Sequence, residues 1–206
     1  MSSHELIDVF DAGMNFVGVA SKEDAHSSGL FHKSFHCWIL TEKGRVLLQK
    51  RSSVKKVFPG LFDVSAAGHY RAGEDGKDGA REVKEELGFY PDCLVEMGIF
   101  LDEYKNDCHH NCEFCCVYAY FCDIPLNEYT LNEEADGLAY VDLSDLIKLF
   151  DGRVTAAEAE YFDKAENKIK KIVIAKSDFV PSESGYYSYI LKKIVRLFDA
   201  EQEMCG

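Results

Sequence analysis

Apolar and polar positions along the chain fall into short runs that switch between two periods. Leu6–Phe10 has extended character inside an otherwise mixed stretch that reaches residue 34. Strand patterns then cluster. Phe35–Leu40 is aromatic and apolar, Glu42-Lys43-Gly44 marks a turn, and Arg45–Lys50 alternates as a hairpin partner would. Pro59-Gly60 punctuates the chain, and Phe62–Ala67 predicts another strand. A charged, glycine-rich loop over Arg71–Gly79 leads into a helical pattern that stops at Gly88, a residue suited to the left-handed helix end. Val95–Leu101, Glu113–Phe121 and Gly137–Val141 predict further strands, and Leu143–Phe150 a short helix. The tail adds a strand at Ile169–Ile174 and a helix over Tyr186–Phe198. Strands and helices intermixed in this way predict a mixed sheet covered by helices.

Length and composition bound the reading. The chain has 206 residues, 47% hydrophobic and 29% charged, as expected of one globular domain. Its longest apolar run, Phe114–Cys122, is far short of the ~20 residues of a membrane-spanning helix. The first residues lack the basic and apolar regions of a signal peptide, so the expectation is a cytoplasmic protein with no membrane partner. The net charge of −13 argues against nucleic acid as a partner. It also means that an anionic substrate would need local cations or bound metal. With no secretion signal, the eight cysteines are expected to be reduced thiols.

The stretch from Gly68 to Phe89 carries the chemistry. Asp78 is positioned to cap the helix that follows. On a wheel of about 100° per residue, with Glu82 at zero, Glu86 and Glu85 fall within about 60° of it, while Val83, Leu87 and Ala80 lie on the far side. Three carboxylates thus crowd one face, bordered by Arg81. Crowded like charges at this spacing are mildly destabilising, and acids near the helix end oppose its dipole. Such a group asks for a counter-charge, and oxygen-rich sites suit Mg²⁺.

These residues resemble the Nudix box. Gly68, Glu74, Arg81, Glu82, Val83, Glu85, Glu86, Gly88 and Phe89 occupy its fixed positions, with one residue fewer between Glu74 and Arg81 than the family usually has. The resemblance implies an α+β fold, an α/β/α sandwich around a mixed sheet. It makes 1–206 a single domain with its core over about 30–150, flanked by an N-terminal extension and a C-terminal strand and helix. It also implies Mg²⁺- or Mn²⁺-dependent hydrolysis of a small-molecule diphosphate. Glu82, Glu85 and Glu86 would hold the metal, with the Ala67 carbonyl as a further ligand. Arg81 and Glu74 would orient the carboxylates.

Outside the box the chain resembles a branch of the same fold, the isopentenyl-diphosphate isomerases, over roughly residues 20–125. Arg51-Ser-Ser-Val-Lys55-Lys56, Phe58-Pro59-Gly60-Leu61-Phe62 and Gly68-His69 follow that branch in order and spacing. The resemblance implies that Arg51 and Lys55 bind diphosphate. It also groups His26, His32, His69 and Glu113 as a second metal and catalytic set. Two departures point away from isomerisation. Ala67 stands where that branch has a cysteine, and the box helix is complete where the isomerase's is usually degraded. The expectation is a hydrolase on an isomerase-like frame, with an isomerase and a non-catalytic nucleotide-binding module as alternatives.

Three features are left beside this. Cys108-His109-His110-Asn111-Cys112-Glu113-Phe114-Cys115-Cys116 offers zinc-like ligands, but the segment continues as an apolar strand, so buried reduced cysteines are the favoured reading. Glu113, Glu133 and Glu134 are all candidates for a base outside the box. The aromatics of Phe179–Tyr187 either line a pocket or anchor the final helix on the core, and anchoring is the favoured reading.

Overall fold

The computed structural model describes residues 5–105, 110–182 and 184–204, with side chains described to residue 198. Its centre is a long strand, β3 (Phe31–Leu40), which pairs parallel with β8 (His110–Phe121) and antiparallel with β1 (Leu6–Phe10), β4 (Arg45–Arg51) and the short β6 (Ala66–His69). From β4 the sheet continues through β9 (Ala135–Asp142) and β10 (Ala156–Asp163) to the edge strand β11 (Lys168–Ala175). At the other side β2 (Phe16–Ser21) pairs with β1, and β7 (Val95–Lys105) pairs with β8. The two-residue β5 (Phe62–Asp63) pairs with β4. Parallel and antiparallel pairs coexist, so the sheet is mixed.

Alternation along the central strands sorts residues into two layers. Phe35, Cys37 and Ile39 of β3, Leu47 of β4, Cys116 and Tyr118 of β8 and Leu138 and Tyr140 of β9 form one core. Val83 and Leu87 of α2 (Arg81–Leu87) pack there. The intervening residues, Trp38 and Leu40, Val46 and Leu48, Cys115 and Val117, Ala139 and Val141, face the other core. That side is covered by α3 (Leu143–Phe150) and α4 (Tyr186–Met204). The period-two placement of side chains on a pleated strand is what allows one sheet to carry helices on both faces. This is the α/β/α sandwich that the sequence leads one to expect.

Several sequence expectations need revision. Phe62–Ala67 is two short strands rather than one, β5 and β6 being separated by Val64 and Ser65. Asp78 does not cap α2. A 3-10 turn over Gly76–Ala80 runs directly into that helix, so the cap moves upstream to Asp75, and Asp78 instead accepts the Asp75 N–H at 3.1 Å. β2, the seven-residue α1 (Lys22–Ser28) and β10 were not read from the pattern. Gly88 does end α2 in the left-handed region, at φ 89°.

The described cysteines are free thiols. Cys112, Cys115 and Cys116 are buried in β8, with Cys115 and Cys116 on opposite faces, as apolar residues would be. Cys108 and His109 of the zinc-like segment lie outside the described residues. No described helix is long and apolar enough to cross a membrane.

Candidate active site

The box helix meets the sheet over Gly68. A Cβ there would occupy the space of the Glu82 carboxylate, so only glycine lets that group lie on the β6 backbone. Arg81 ties the loop to the helix. Its Nε donates to both Glu74 oxygens at 3.0 and 3.1 Å, its Nη2 to the His69 carbonyl at 2.7 Å, and its Nη1 to Glu82. Glu74 also accepts the Arg71 N–H at 2.8 Å, which closes the loop. The missing residue before Arg81 therefore leaves the Glu74–Arg81 pairing intact.

The three box carboxylates do not share one environment. Glu85 is about half exposed and pairs with Arg71 at 3.3 Å and Arg81 at 3.6 Å. Glu86 is buried at 5% exposure, where its Oε2 accepts from Gln49 Nε2 at 3.1 Å and from the Ala67 N–H at 3.2 Å. Burial, reinforced by the Glu82 charge, pushes its carboxyl up to about 8. Burial also raises Glu82, against the pull of Arg81. The wheel placed all three on one face; the structure adds that Glu86 sits at its buried end, under β6. Two carboxylates held above their ordinary range in one place form a site with a deficit of positive charge.

A second cluster is set by strand register. β3 and β8 place His32 directly beside Glu113, and β3 and β6 place Ser34 opposite His69. His26, from α1, completes the group, and ligand atoms of His26, His32, His69 and Glu113 all lie within 4.8 Å of one another. His26 Nε2 and His69 Nε2 are 3.0 Å apart. Glu113 Oε1 is 3.4 Å from His69 Nε2 and 3.6 Å from His32 Nε2. His32 donates Nδ1–H to the Leu30 carbonyl at 2.7 Å, which leaves the Nε2 lone pair, buried and without a hydrogen-bond partner, aimed at the cluster. Burial pushes His69 down to about 3, so it is neutral. Burial opposes ionisation of Glu113, but the neighbouring imidazoles of His32, His36 and His69 hold it well below the usual carboxylate range. Imidazole lone pairs and an ionised carboxylate converging on one point fit a divalent cation of the Mn²⁺ or Zn²⁺ kind.

Both clusters open on one cleft of about 550 Å³. Arg51, Lys55, Glu82, Glu85, Glu86, His26, His69 and Glu113 line it; His32 and Glu74 stand behind. Arg51 is already engaged. It donates to the Phe58 carbonyl at 3.2 Å, the Val57 carbonyl at 3.0 Å and Asp63 at 2.9 Å. Lys55 bonds Glu134 at 2.6 Å. Glu134 lines the cleft and Glu133 does not. Tyr186, from the aromatic segment before the final helix, also lines the cleft, whereas sequence reading did not find Gln49, Ser34 or His36. Ordinary polar residues on strands give no signal until the fold brings them to the site.

A fold with helices on both faces of a mixed sheet, and an Arg-Glu-x-x-Glu-Glu helix seated on a glycine, define the Nudix class. The NUDIX domain family matches residues 30–164, and the chain belongs to that family as a Nudix hydrolase. It is 35% identical over 201 residues to an uncharacterised Nudix hydrolase of Clostridium acetobutylicum, covering 93% of this chain and 97% of that one. It is 31% identical over 156 residues to an isopentenyl-diphosphate isomerase of Corynebacterium diphtheriae, covering 71% of this chain and 84% of the relative. A crystal structure from Deinococcus radiodurans shares the fold at a TM-score of 0.56 and 21% identity, over 72% of this chain and 90% of that one.

Proposed function

We propose that this enzyme hydrolyses a diphosphate linkage in a small organic diphosphate, by metal-dependent attack of water. The observation that carries the reading is one shared cleft, lined by Glu82, Glu85 and Glu86, by His26, His69 and Glu113 of the second cluster, and by Arg51 and Lys55. The box carboxylates are the oxygen ligands that Mg²⁺ or Mn²⁺ takes. Held there, such an ion would neutralise phosphate oxygens and lower the pKa of a water molecule. Arg81 and Glu74 hold Glu82 and the loop in register. One of the box carboxylates, or Glu113 or Glu134 on the cleft wall, would receive the water's proton. Lys55 and Arg51 supply positive charge at the mouth of an otherwise acidic protein.

A second reading, isomerisation of isopentenyl diphosphate, draws support from the intact histidine cluster. Ala67 weighs against it, because a methyl group cannot pass a proton across a carbon skeleton. The test is phosphorus NMR on metal-free protein given Mg²⁺, nucleoside-diphosphate-linked compounds and isopentenyl diphosphate. New phosphate-monoester or orthophosphate signals that vanish with chelator are expected. Intact diphosphates, with double-bond migration seen by proton NMR, would move the assignment to isomerisation.

A further inference from the structure

Glu113 offers its two oxygens to different neighbours. Oε1 faces His32 and His69. Oε2 accepts from Ser34 Oγ at 2.9 Å and lies 3.8 Å from His36 Nε2, with Cys115 Sγ at 4.0 Å. Behind Oε2 runs a chain of hydrogen bonds. Trp38 Nε1 donates to the Tyr186 hydroxyl at 3.0 Å, Tyr186 is 2.7 Å from His36 Nδ1, and His36 Nε2 is 3.2 Å from Ser34 Oγ.

The ends of this chain fix its direction. An indole N–H can only donate, and an ionised carboxylate can only accept. Tyr186 oxygen therefore accepts from Trp38, and with His36 neutral its own O–H proton goes to His36 Nδ1. A neutral His36 must then carry its proton on Nε2, where it donates to Ser34. Ser34 in turn spends its hydroxyl proton on Glu113. Were His36 charged, Nε2–H would still donate to Ser34, while Nδ1–H would donate to a Tyr186 oxygen that then accepts from both Trp38 and His36. Ser34, His36 and Trp38 alternate on one face of β3, while Tyr186 opens α4, whose N–H it gives to Ser182 Oγ at 3.1 Å. The Tyr186 ring packs on Phe100 at 5.3 Å and is itself buried. The final helix, α4, is thereby wired to a carboxylate on β8, the parallel neighbour of β3.

We propose that Tyr186 and His36 are positioning residues that saturate Glu113 Oε2 through Ser34, so that Oε1 is presented to a cation held by the histidine cluster. This rests on the metal reading given above. Outer hydrogen bonds of this kind orient metal-ligating groups, and their loss typically costs 10–100-fold in metal affinity.

The experiment is Mn²⁺ titration by electron paramagnetic resonance on the full chain, with turnover and melting temperature measured alongside. Wild type, His69→Ala, Tyr186→Phe, Ser34→Ala and the Tyr186→Phe/Ser34→Ala double variant are compared. His69→Ala is expected to abolish one class of bound Mn²⁺. Tyr186→Phe and Ser34→Ala are each expected to weaken that class on the order of 10-fold. The double variant should lose no more than Ser34→Ala, because both break one chain. Should Tyr186→Phe unfold by stranding the Trp38 N–H, Ser34→Ala, which leaves that bond alone, decides. Unchanged Mn²⁺ affinity in Ser34→Ala, while His69→Ala abolishes binding, overturns the positioning role alone. Binding indifferent to His69→Ala overturns the metal cluster and this inference with it.

Discussion

Gly68 and Glu82 share one volume: the carboxylate of the second fills the space that a side chain on the first would take. Gly68→Ala is therefore expected to displace Glu82 rather than the backbone, since the group it meets is the end of a flexible side chain. The fold should survive with a melting temperature within a few degrees of wild type. Turnover should fall at least ~10-fold, as it does when a group is moved about 1 Å from its productive place. Steady-state kinetics beside a thermal melt checks both halves. Full activity in Gly68→Ala would mean that the Glu82 position is not needed.

Glu82→Gln removes a charge from a pair of carboxylates while preserving shape. Activity is expected to drop on the order of 10²-fold, the scale on which a single preorganised electrostatic contact acts. Stability in the metal-free state is expected to rise, because Glu86 loses the neighbour that helps to raise it. Loss of activity together with a gain in melting temperature is the signature of a functional charge. A structural ion pair with Arg81 would instead lose both.

The same geometry gives metal-free stability a pH dependence. In the unfolded chain Glu86 titrates near 4.5, and in the fold near 8. The folded state binds that proton more tightly, so its contribution is fully present below about 4.5 and is lost as pH rises through 8. Melts of metal-free protein from pH 5 to 8.5 should show a decline worth a few kcal/mol. Glu86→Gln should flatten it, and Mg²⁺ should restore stability at the alkaline end. A slope unchanged in Glu86→Gln would locate the effect in the overall charge of −13 instead.

How much of this was legible depended on whether a residue's partner lay nearby in sequence. The central strands are buried on both faces and bounded by turns, so Phe35–Leu40 and Gly137–Val141 announced themselves. The box is local: Glu82, Glu85 and Glu86 are one helix turn apart. β2 gave no signal because it is an edge strand with Phe16, Val17 and Val19 all exposed. α1 buries only Ala25, too little for a periodic pattern. β10 alternates alanine with glutamate, a composition more at home in helices. The histidine cluster was reached through resemblance alone, since His26 and His69 meet across 43 residues. Nothing in the sequence tied His36 to Tyr186, 150 residues away.

Arg51 and Lys55 entered as a pair of phosphate contacts, and the structure separates them. Arg51 spreads its donors over Val57, Phe58 and Asp63, and so holds a loop in which Phe58 sits at φ 50°. A bulky residue in that region is strained by ~1–3 kcal/mol and needs the surroundings to keep it there. The Phe58 ring, packed 5.2 Å from Tyr104, forms a wall of the cleft. Lys55 instead pairs with Glu134, itself about half exposed. Arg51→Lys cannot bridge two carbonyls and a carboxylate at once. It should cost ~1–3 kcal/mol in stability, by the loss of buried hydrogen bonds, and raise KM as the wall loosens. Lys55→Ala should raise KM with the melting temperature unchanged, since exposed ion pairs contribute little. If Arg51→Lys instead raised KM without lowering the melting temperature, its guanidinium would be a substrate contact first and a loop clamp second.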